Sequence, residues 1–334
     1  MSESIQQLKE LLHIPKEIAI ITHRNPDGDA LGSSLGLAHY LRKFGHSVSV
    51  VAPSEYPENF SYLKGIEQMI IFDSDQNGAR KALDKADIIF CLDFNGLDRV
   101  DKLGENIQFS KAKKILVDHH LDPEPFTDIE FSDTASSSTS ELVFKLIEDM
   151  GDMSKIDPEL GACLLTGIIT DTGSFRYATR VETYTTAGKL KALGVDDHFV
   201  QDKIHNSMSE KKLRLLGHCL FNRMEIIKEY GVGIMYLTRK DYSDYDIQRG
   251  DTEGIVNYML TMPEVVVAAF ITEQPTIIKI SLRSKGDISV QEIASRYFNG
   301  GGHKNASGGG VYASLNDIME KLKKVIPLHI PKIN

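Results

Sequence analysis

Three cysteines, no run of 18 apolar residues and no excess of positive charge already narrow the class of this 334-residue sequence. Cys91, Cys163 and Cys219 lie far apart inside apolar stretches. That excludes a disulfide framework and a cysteine-based zinc knuckle, and reads as buried thiols in a reducing cytoplasm. The longest apolar stretches, such as Val265–Ile271, have the length of a strand rather than of a membrane helix. Glu3, Lys9, Glu10 and His13 interrupt the N-terminal stretch, so the apolar core of a signal peptide is missing. The expectation is a cytoplasmic protein with no membrane partner. Lys plus Arg number 38 against 47 Asp plus Glu, a net charge of −9. Such a balance disfavours a broad basic surface for long-duplex nucleic acid, but leaves room for a small basic pocket. Gly (26) and Pro (11) are too sparse for a collagen-like or low-complexity chain, and no Gly-x-Gly-x-x-Gly follows the first apolar run. The last absence excludes an oxidoreductase built on a dinucleotide fingerprint.

What is present reads as an α/β chain of two domains. Short β-branched runs at Glu17–His23, Ser47–Pro53, Gln68–Asp73, Asp87–Asp93 and Lys114–Asp118 alternate with amphipathic stretches, the pattern of a parallel sheet covered by helices. Leu31–Phe44 carries leucines at helical spacing and stops at Gly45. Ser138-Thr139-Ser140-Glu141 has the spacing of a capping box, and Pro158–Thr170 reads as another helix. The texture then turns charged and helical. Residues 1–188 are therefore assigned to the first domain, 189–217 to a helical connector and 218–334 to a smaller α+β domain. Within the last, Ile226–Leu237 and Val265–Leu282 read as hairpins, and a helix at Val290–Phe298 leads into the glycine-rich Asn299–Gly310.

The chemistry gathers where the strands end. The first strand runs into His23-Arg24-Asn25-Pro26-Asp27-Gly28-Asp29, the fourth delivers Asp93, and the fifth delivers Asp118-His119-His120. Asp171-Thr172-Gly173 follows the apolar Leu164–Ile169. Ligands bind beyond the carboxyl ends of the strands in an open parallel sheet, so these groups share one edge. Asp27, Asp29, Asp93 and Asp171 bring four negative charges together. Two divalent cations would cancel them, while His23 and His119 add neutral nitrogen donors. Mixed Asp/His donors without thiolate favour Mn²⁺ or Mg²⁺ over structural Zn²⁺, with Co²⁺ or Zn²⁺ able to occupy the site in vitro.

These blocks resemble the DHH phosphoesterase family: His23-x-Asn-Pro-Asp27-Gly-Asp29-Ala-x-Gly-Ser, Asp93, Asp118-His119-His120 and Asp171-Thr172-Gly173-x-Phe175. The resemblance implies a Rossmann-like parallel-sheet domain with two metal ions. His23, Asp27 and Asp93 would hold one ion, and Asp29, Asp93, His119 and Asp171 the other, with Asp93 bridging. His120 would face the scissile phosphate, and Asp118 would orient the histidines. Leu121 stands where the family often has proline.

Arg283-Ser284-Lys285-Gly286, with Gly300-Gly301-Gly302-His303-Lys304, resembles the DHH-associated C-terminal domain. The glycines would let backbone N–H groups approach an anion. Arg283, Ser284, Gly300, Gly301, Gly302 and His303 would hold the far phosphate and nucleotide, with Lys285 and Lys304 completing a basic pocket. The chain is similar to the bacterial nanoRNase type, which acts on short RNA oligonucleotides and on the nucleotide bisphosphate 3′-phosphoadenosine-5′-phosphate (pAp). Other readings of the same residues are a stand-alone phosphodiesterase for linear or cyclic dinucleotides and a non-catalytic nucleotide-binding regulator. A homodimer is compatible with the resemblance.

Overall fold

The computed structural model describes residues 2–248 and 250–333, which separate into two units between Ser207 and Met208. In the first unit six strands form a parallel sheet. They are β1 (Glu17–Thr22), β2 (Ser47–Ala52), β3 (Ile70–Ile71), β4 (Ile88–Leu92), β5 (Lys113–Asp118) and β6 (Ile129–Ser132), in the order β3-β2-β1-β4-β5-β6. Side chains alternate across a strand, so each run feeds two cores. Ile18, Ile20, Phe90 and Val117 enter one core, and Ala19, Ile21, Cys91 and Leu116 the other. The first core is covered by α1 (Ser2–Leu11), α2 (Gly28–Arg42), α5 (Thr139–Met150) and α6 (Pro158–Asp171). The second is covered by α3 (Gln76–Lys85) and α4 (Leu103–Phe109). Two more helices, α7 (Val181–Ala192) and α8 (Asp197–His205), complete the unit. The strand order reverses between β1 and β4, which opens a crevice beyond their carboxyl ends.

Helix α2 starts three residues before the leucine pattern does, because Asp27 caps it and accepts N–H bonds from Asp29 and Ala30. It then runs close against α6. A Cβ at Gly32 would stand 2.3 Å from the carbonyl oxygen of Cys163, and one at Gly28 would stand 2.4 Å from Thr170 Cγ2. Only glycine permits that approach. The capping box at α5 is half formed: Ser138 Oγ accepts the Glu141 N–H at 3.0 Å. The Glu141 carboxylate instead accepts from Ser137 N, Ser137 Oγ and Thr183 Oγ1.

The second unit begins with α9 (Glu210–Asn222) and holds β7 (Met224–Ile227), β8 (Val232–Leu237), β9 (Val267–Glu273), β10 (Ile278–Ser284), β11 (Gly301–His303) and β12 (Ala306–Val311). The sheet order is β11-β12-β10-β9-β8-β7, with β8 and β9 parallel and the other neighbours antiparallel. α10 (Arg239–Asp244), α11 (Ile255–Met259), α12 (Val290–Tyr297) and α13 (Leu315–His329) accompany it. Residues 189–217 thus comprise the end of α7, all of α8 and the first half of α9, with the division between the units falling inside them.

The glycine-rich stretch differs from an open loop. β12 pairs with β10 from Ile278 to Arg283, which engages the backbone of Gly308, Gly309 and Gly310 in the sheet. A Cβ at Gly309 would stand 2.3 Å from the Phe298 carbonyl oxygen, so glycine lets this strand pass beneath the end of α12. Among the described residues no helix is long and apolar enough to cross a membrane.

Candidate metal centre

The β1 and β4 strand ends carry His23 and Asp93, β5 ends on Asp118 and is followed by His119 and His120, α2 supplies Asp27 and Asp29, and α6 ends on Asp171. The first unit brings all of them together. Ligand-type atoms of His23, Asp27 and Asp93 lie within 4.8 Å of one another; so do those of Asp29, His119 and Asp171, and those of Asp93, His119 and His120. Asp93 is common to the first and last groups. Its Oδ2 lies 3.4 Å from His23 Nε2, and its Oδ1 lies 3.6 Å from His119 Nε2. Asp93 sits at φ 64°, a left-handed conformation uncommon for a non-glycine residue, while its N–H still bonds the Val117 carbonyl at 3.2 Å. The last rung of the β4–β5 ladder thus holds a backbone that turns the carboxylate into the crevice.

The histidines are oriented by groups that can only accept. His23 Nδ1–H donates to the Arg24 carbonyl at 2.9 Å, and His119 Nδ1–H donates to the Ser136 carbonyl at 3.3 Å. Each ring therefore keeps its other nitrogen, Nε2, for the carboxylate cluster or a cation. His120 Nδ1–H bonds Asp118 Oδ1 at 2.7 Å. The expectation that Asp118 orients both histidines is thereby narrowed: it holds His120, and a backbone carbonyl holds His119.

Two residues that act here were missed in the sequence. Thr139 and Ser140 open α5, and their N–H groups donate to Asp29 Oδ2 and Oδ1 at 2.6 and 2.8 Å. Thr139 Oγ1 also donates to Asp93 Oδ1 at 3.0 Å. The signal was available, since a helix N-terminus offers N–H groups beyond the one its cap uses.

Electrostatics follows from packing carboxylates, most of them buried, into one crevice. Asp29 is fully buried, and burial raises its pKa well above the ordinary value, helped by the charges of Asp93 and Asp171. Burial likewise lifts Asp171 to about 6, against the hydrogen bond from His119. Burial would lower the two imidazoles, but the surrounding carboxylates outweigh it and carry His23 to about 9 and His119 to about 10. Burial would raise Asp93 too; the hydrogen bond and charge of His23 reverse that and push it below the usual carboxylate range. This is a site that gathers positive charge, by protons or by cations. Pre-oriented imidazole nitrogens, hard carboxylate oxygens and the absence of thiolate fit divalent cations.

In the second unit, Arg283 lies in β10 opposite Ala268 and Ala306. Its Nη1 donates to the neighbouring Leu282 carbonyl at 3.0 Å, burial lowers its pKa, and among the described residues no carboxylate pairs with it. The other cations of the expected basic pocket are engaged. Lys285 Nζ donates to the Met262 carbonyl at 2.7 Å, and Lys304 pairs with Asp287 at 2.8 Å. Ser284 Oγ donates to the Ile288 carbonyl at 2.6 Å and accepts from Asn305 Nδ2 at 2.8 Å, so it fastens the turn beside Arg283. Gly300 packs against Gly308, where a Cβ would stand 1.9 Å from its carbonyl oxygen, and Gly301 and Gly302 run in β11. His303 ends β11 by its backbone; its side chain lies outside the described residues.

The model for the DHH family, N-terminal domain, matches residues 17–168, and that for the DHHA1 domain matches residues 230–327. The chain is 27% identical over 300 residues to the bifunctional oligoribonuclease and PAP phosphatase NrnA of Bacillus subtilis, covering 88% of this chain and 90% of that protein. It is also 27% identical to the cyclic-di-AMP phosphodiesterase PdeA of Listeria monocytogenes, over 89% of this chain but 45% of that protein. The crystal structure of an exopolyphosphatase-related protein from Bacteroides fragilis matches with a TM-score of 0.95 at 39% identity, covering 98% of each chain. With both domains matched in order and a relative of that identity along its whole length, the chain belongs to the DHH family.

Proposed function

We propose that this protein is a metal-dependent phosphoesterase that hydrolyses short oligoribonucleotides, pAp or both to mononucleotides. The observation that carries the reading is the shared Asp93, whose two oxygens are aimed at two different histidines. A carboxylate so placed suits a pair of cations. His23, Asp27 and Asp93 would hold one ion, and Asp29, Asp93, His119 and Asp171 the other, with Mn²⁺ the best match and Mg²⁺ or Co²⁺ as substitutes. Such a pair supplies Lewis-acid polarisation of phosphoryl oxygens and a water acidic enough to attack phosphorus at neutral pH.

The chain's own groups do the rest. Asp118 locks the His120 ring through Nδ1, and His120 contacts a phosphoryl oxygen or gives a proton to the leaving ester oxygen. Arg283 takes the remote phosphate, since it is a half-buried guanidinium with no carboxylate partner among the described residues. His303 and the Gly300–Gly302 backbone contribute beside it. The end-to-end likeness to the Bacillus subtilis oligoribonuclease and PAP phosphatase supports the substrate class. The likeness to the Listeria cyclic-di-AMP phosphodiesterase favours a second reading, cleavage of linear or cyclic dinucleotides.

A competition assay with pAp, a short RNA series, and linear and cyclic diadenylate separates the two. Preferential turnover of pAp or short RNA supports the first reading; preferential turnover of the diadenylates transfers the protein to the second. Chelator-treated protein should be inactive and recover best with Mn²⁺. Hydrolysis that survives chelation would sink the metal-dependent reading altogether.

A further inference from the structure

Two residues beyond Asp171 the backbone enters a turn of the wrong hand. Gly173, Ser174 and Phe175 lie in succession at φ 54°, 61° and 62°, and Ala178 follows at 50°. Consecutive left-handed residues are unfavourable for L-amino acids and persist only where the surroundings impose them. Here they are imposed. The Thr172 carbonyl accepts the N–H groups of Arg176 and Tyr177 at 2.8 and 2.9 Å, and Thr172 Oγ1 accepts that of Phe175 at 2.9 Å. Ser174 Oγ bonds His205 Nε2 at 2.6 Å.

The turn presents aromatic surface to solvent. The Tyr177 ring lies on Gly173, where a Cβ would stand 2.8 Å from ring carbons Cδ2 and Cε2. Tyr177 is nonetheless 59% exposed, and the exposed Arg176 guanidinium lies 5.4 Å from its ring centroid. Behind it Phe175 stacks on Tyr184 with centroids 5.4 Å apart and planes at 25°. Packing does not explain an exposed tyrosine on a pinned, strained turn, because a core ring would be buried and an ordinary surface turn needs no such run. A flat π-face with a guanidinium beside it is the chemistry that takes up an unpaired nucleobase.

We propose that Tyr177 is a stacking platform for a nucleobase of the substrate, with Arg176 closing over the other face of the base. The inference rests on the nucleotide-hydrolase reading above. The nearness of Gly173 to Asp171 assigns the platform to the nucleotide whose phosphate sits at the metal centre. The site then prefers base-bearing substrates over bare phosphodiesters without reading sequence.

The test compares wild type, Tyr177→Ala, Tyr177→Phe and Arg176→Gln on diadenylate and on its abasic analogue. Wild type should favour the base-bearing substrate by about five- to hundredfold in kcat/KM, the span expected of one stacked base. Tyr177→Ala should lose that preference, Tyr177→Phe should keep it, and Arg176→Gln should fall between. Binding is read separately, with a 2-aminopurine dinucleotide whose fluorescence is quenched on stacking, in metal-free protein. Wild type and Tyr177→Phe should quench it, and Tyr177→Ala should not. A Tyr177→Ala protein with unchanged melting, unchanged preference and unchanged quenching overturns the platform. Wild type that quenches the probe but hydrolyses no nucleotide overturns the functional reading instead and leaves the platform standing.

Discussion

Thr139 donates its hydroxyl hydrogen to Asp93 Oδ1 at 3.0 Å, and both residues are buried. The same helix start gives its Thr139 and Ser140 N–H groups to Asp29. One helix N-terminus therefore sets the direction of two carboxylates, and its dipole stabilises their negative charge. Thr139→Val keeps the backbone and the shape but removes the hydroxyl. It should lower metal affinity or turnover by about 10- to 100-fold, as for other groups that orient ligands from behind, whereas Thr139→Ser should restore most of the loss. Metal titration by calorimetry reads this directly, with Asp93→Ala as the inactive reference. A Thr139→Val protein with wild-type metal affinity and turnover would refute the orienting role.

Cations and protons compete at this centre. Burial opposes charge on the imidazoles, yet neighbouring carboxylates lift His23 and His119 to about 9 and about 10, while burial lifts Asp171 to about 6. A cation needs each imidazole nitrogen without its proton. Binding must therefore release protons, and metal affinity should rise as pH goes from about 6 to about 9. Calorimetry in two buffers of different ionisation enthalpy counts the released protons. An affinity that stays flat across that range would contradict the protonation scheme.

Arg283 is a cation without a protein anion among the described residues, and the lysines near it in sequence are engaged elsewhere. Arg283→Ala should raise KM for pAp or short RNA by about 10- to 100-fold, the weight of one charge-assisted contact. Hydrolysis of a small generic phosphodiester should persist. Equal loss on both substrates would show that Arg283 supports the fold rather than the nucleotide.

The α2–α6 contact should tolerate no added methyl at Gly32, whose Cβ would stand 2.3 Å from a backbone oxygen. Separating the helices disturbs Asp29 at one helix and Asp171 at the other. Gly32→Ala should cost about 1–3 kcal/mol by overpacking, which lowers Tm by roughly 2–12 °C in a unit of this size. A variant that melts with wild type would show that the two helices can part freely.

Much of this centre was legible in the chain. Strands announced themselves by β-branched runs, and their ends carried His23, Asp93 and Asp118-His119-His120. Less visible was Thr139, since a Ser-Thr-Ser-Glu run reads as a helix cap whichever carboxylates the helix start faces. The glycine-rich stretch showed its composition but not its pairing: β12 pairs with β10, and glycine lets it pass beneath Phe298. Lys285 and Lys304 looked like partners of Arg283 by proximity in sequence, yet their ammonium groups are held by Met262 and Asp287.

The sequence by itself determined which atoms the centre has and in what order they come, because ligand chemistry belongs to residue types and strand periodicity is a local property. It also determined the acidic balance, part of which the fold gathers into one candidate metal site. Tertiary structure alone decided that Asp93 stands between His23 and His119. That placement needs β4 to lie between β1 and β5, with its last rung held by Val117. Strand adjacency is set by pairing across 70 residues of chain for β1 with β4 and 25 for β4 with β5, which no local pattern encodes. The same holds for α5, whose start meets Asp29 from 110 residues away.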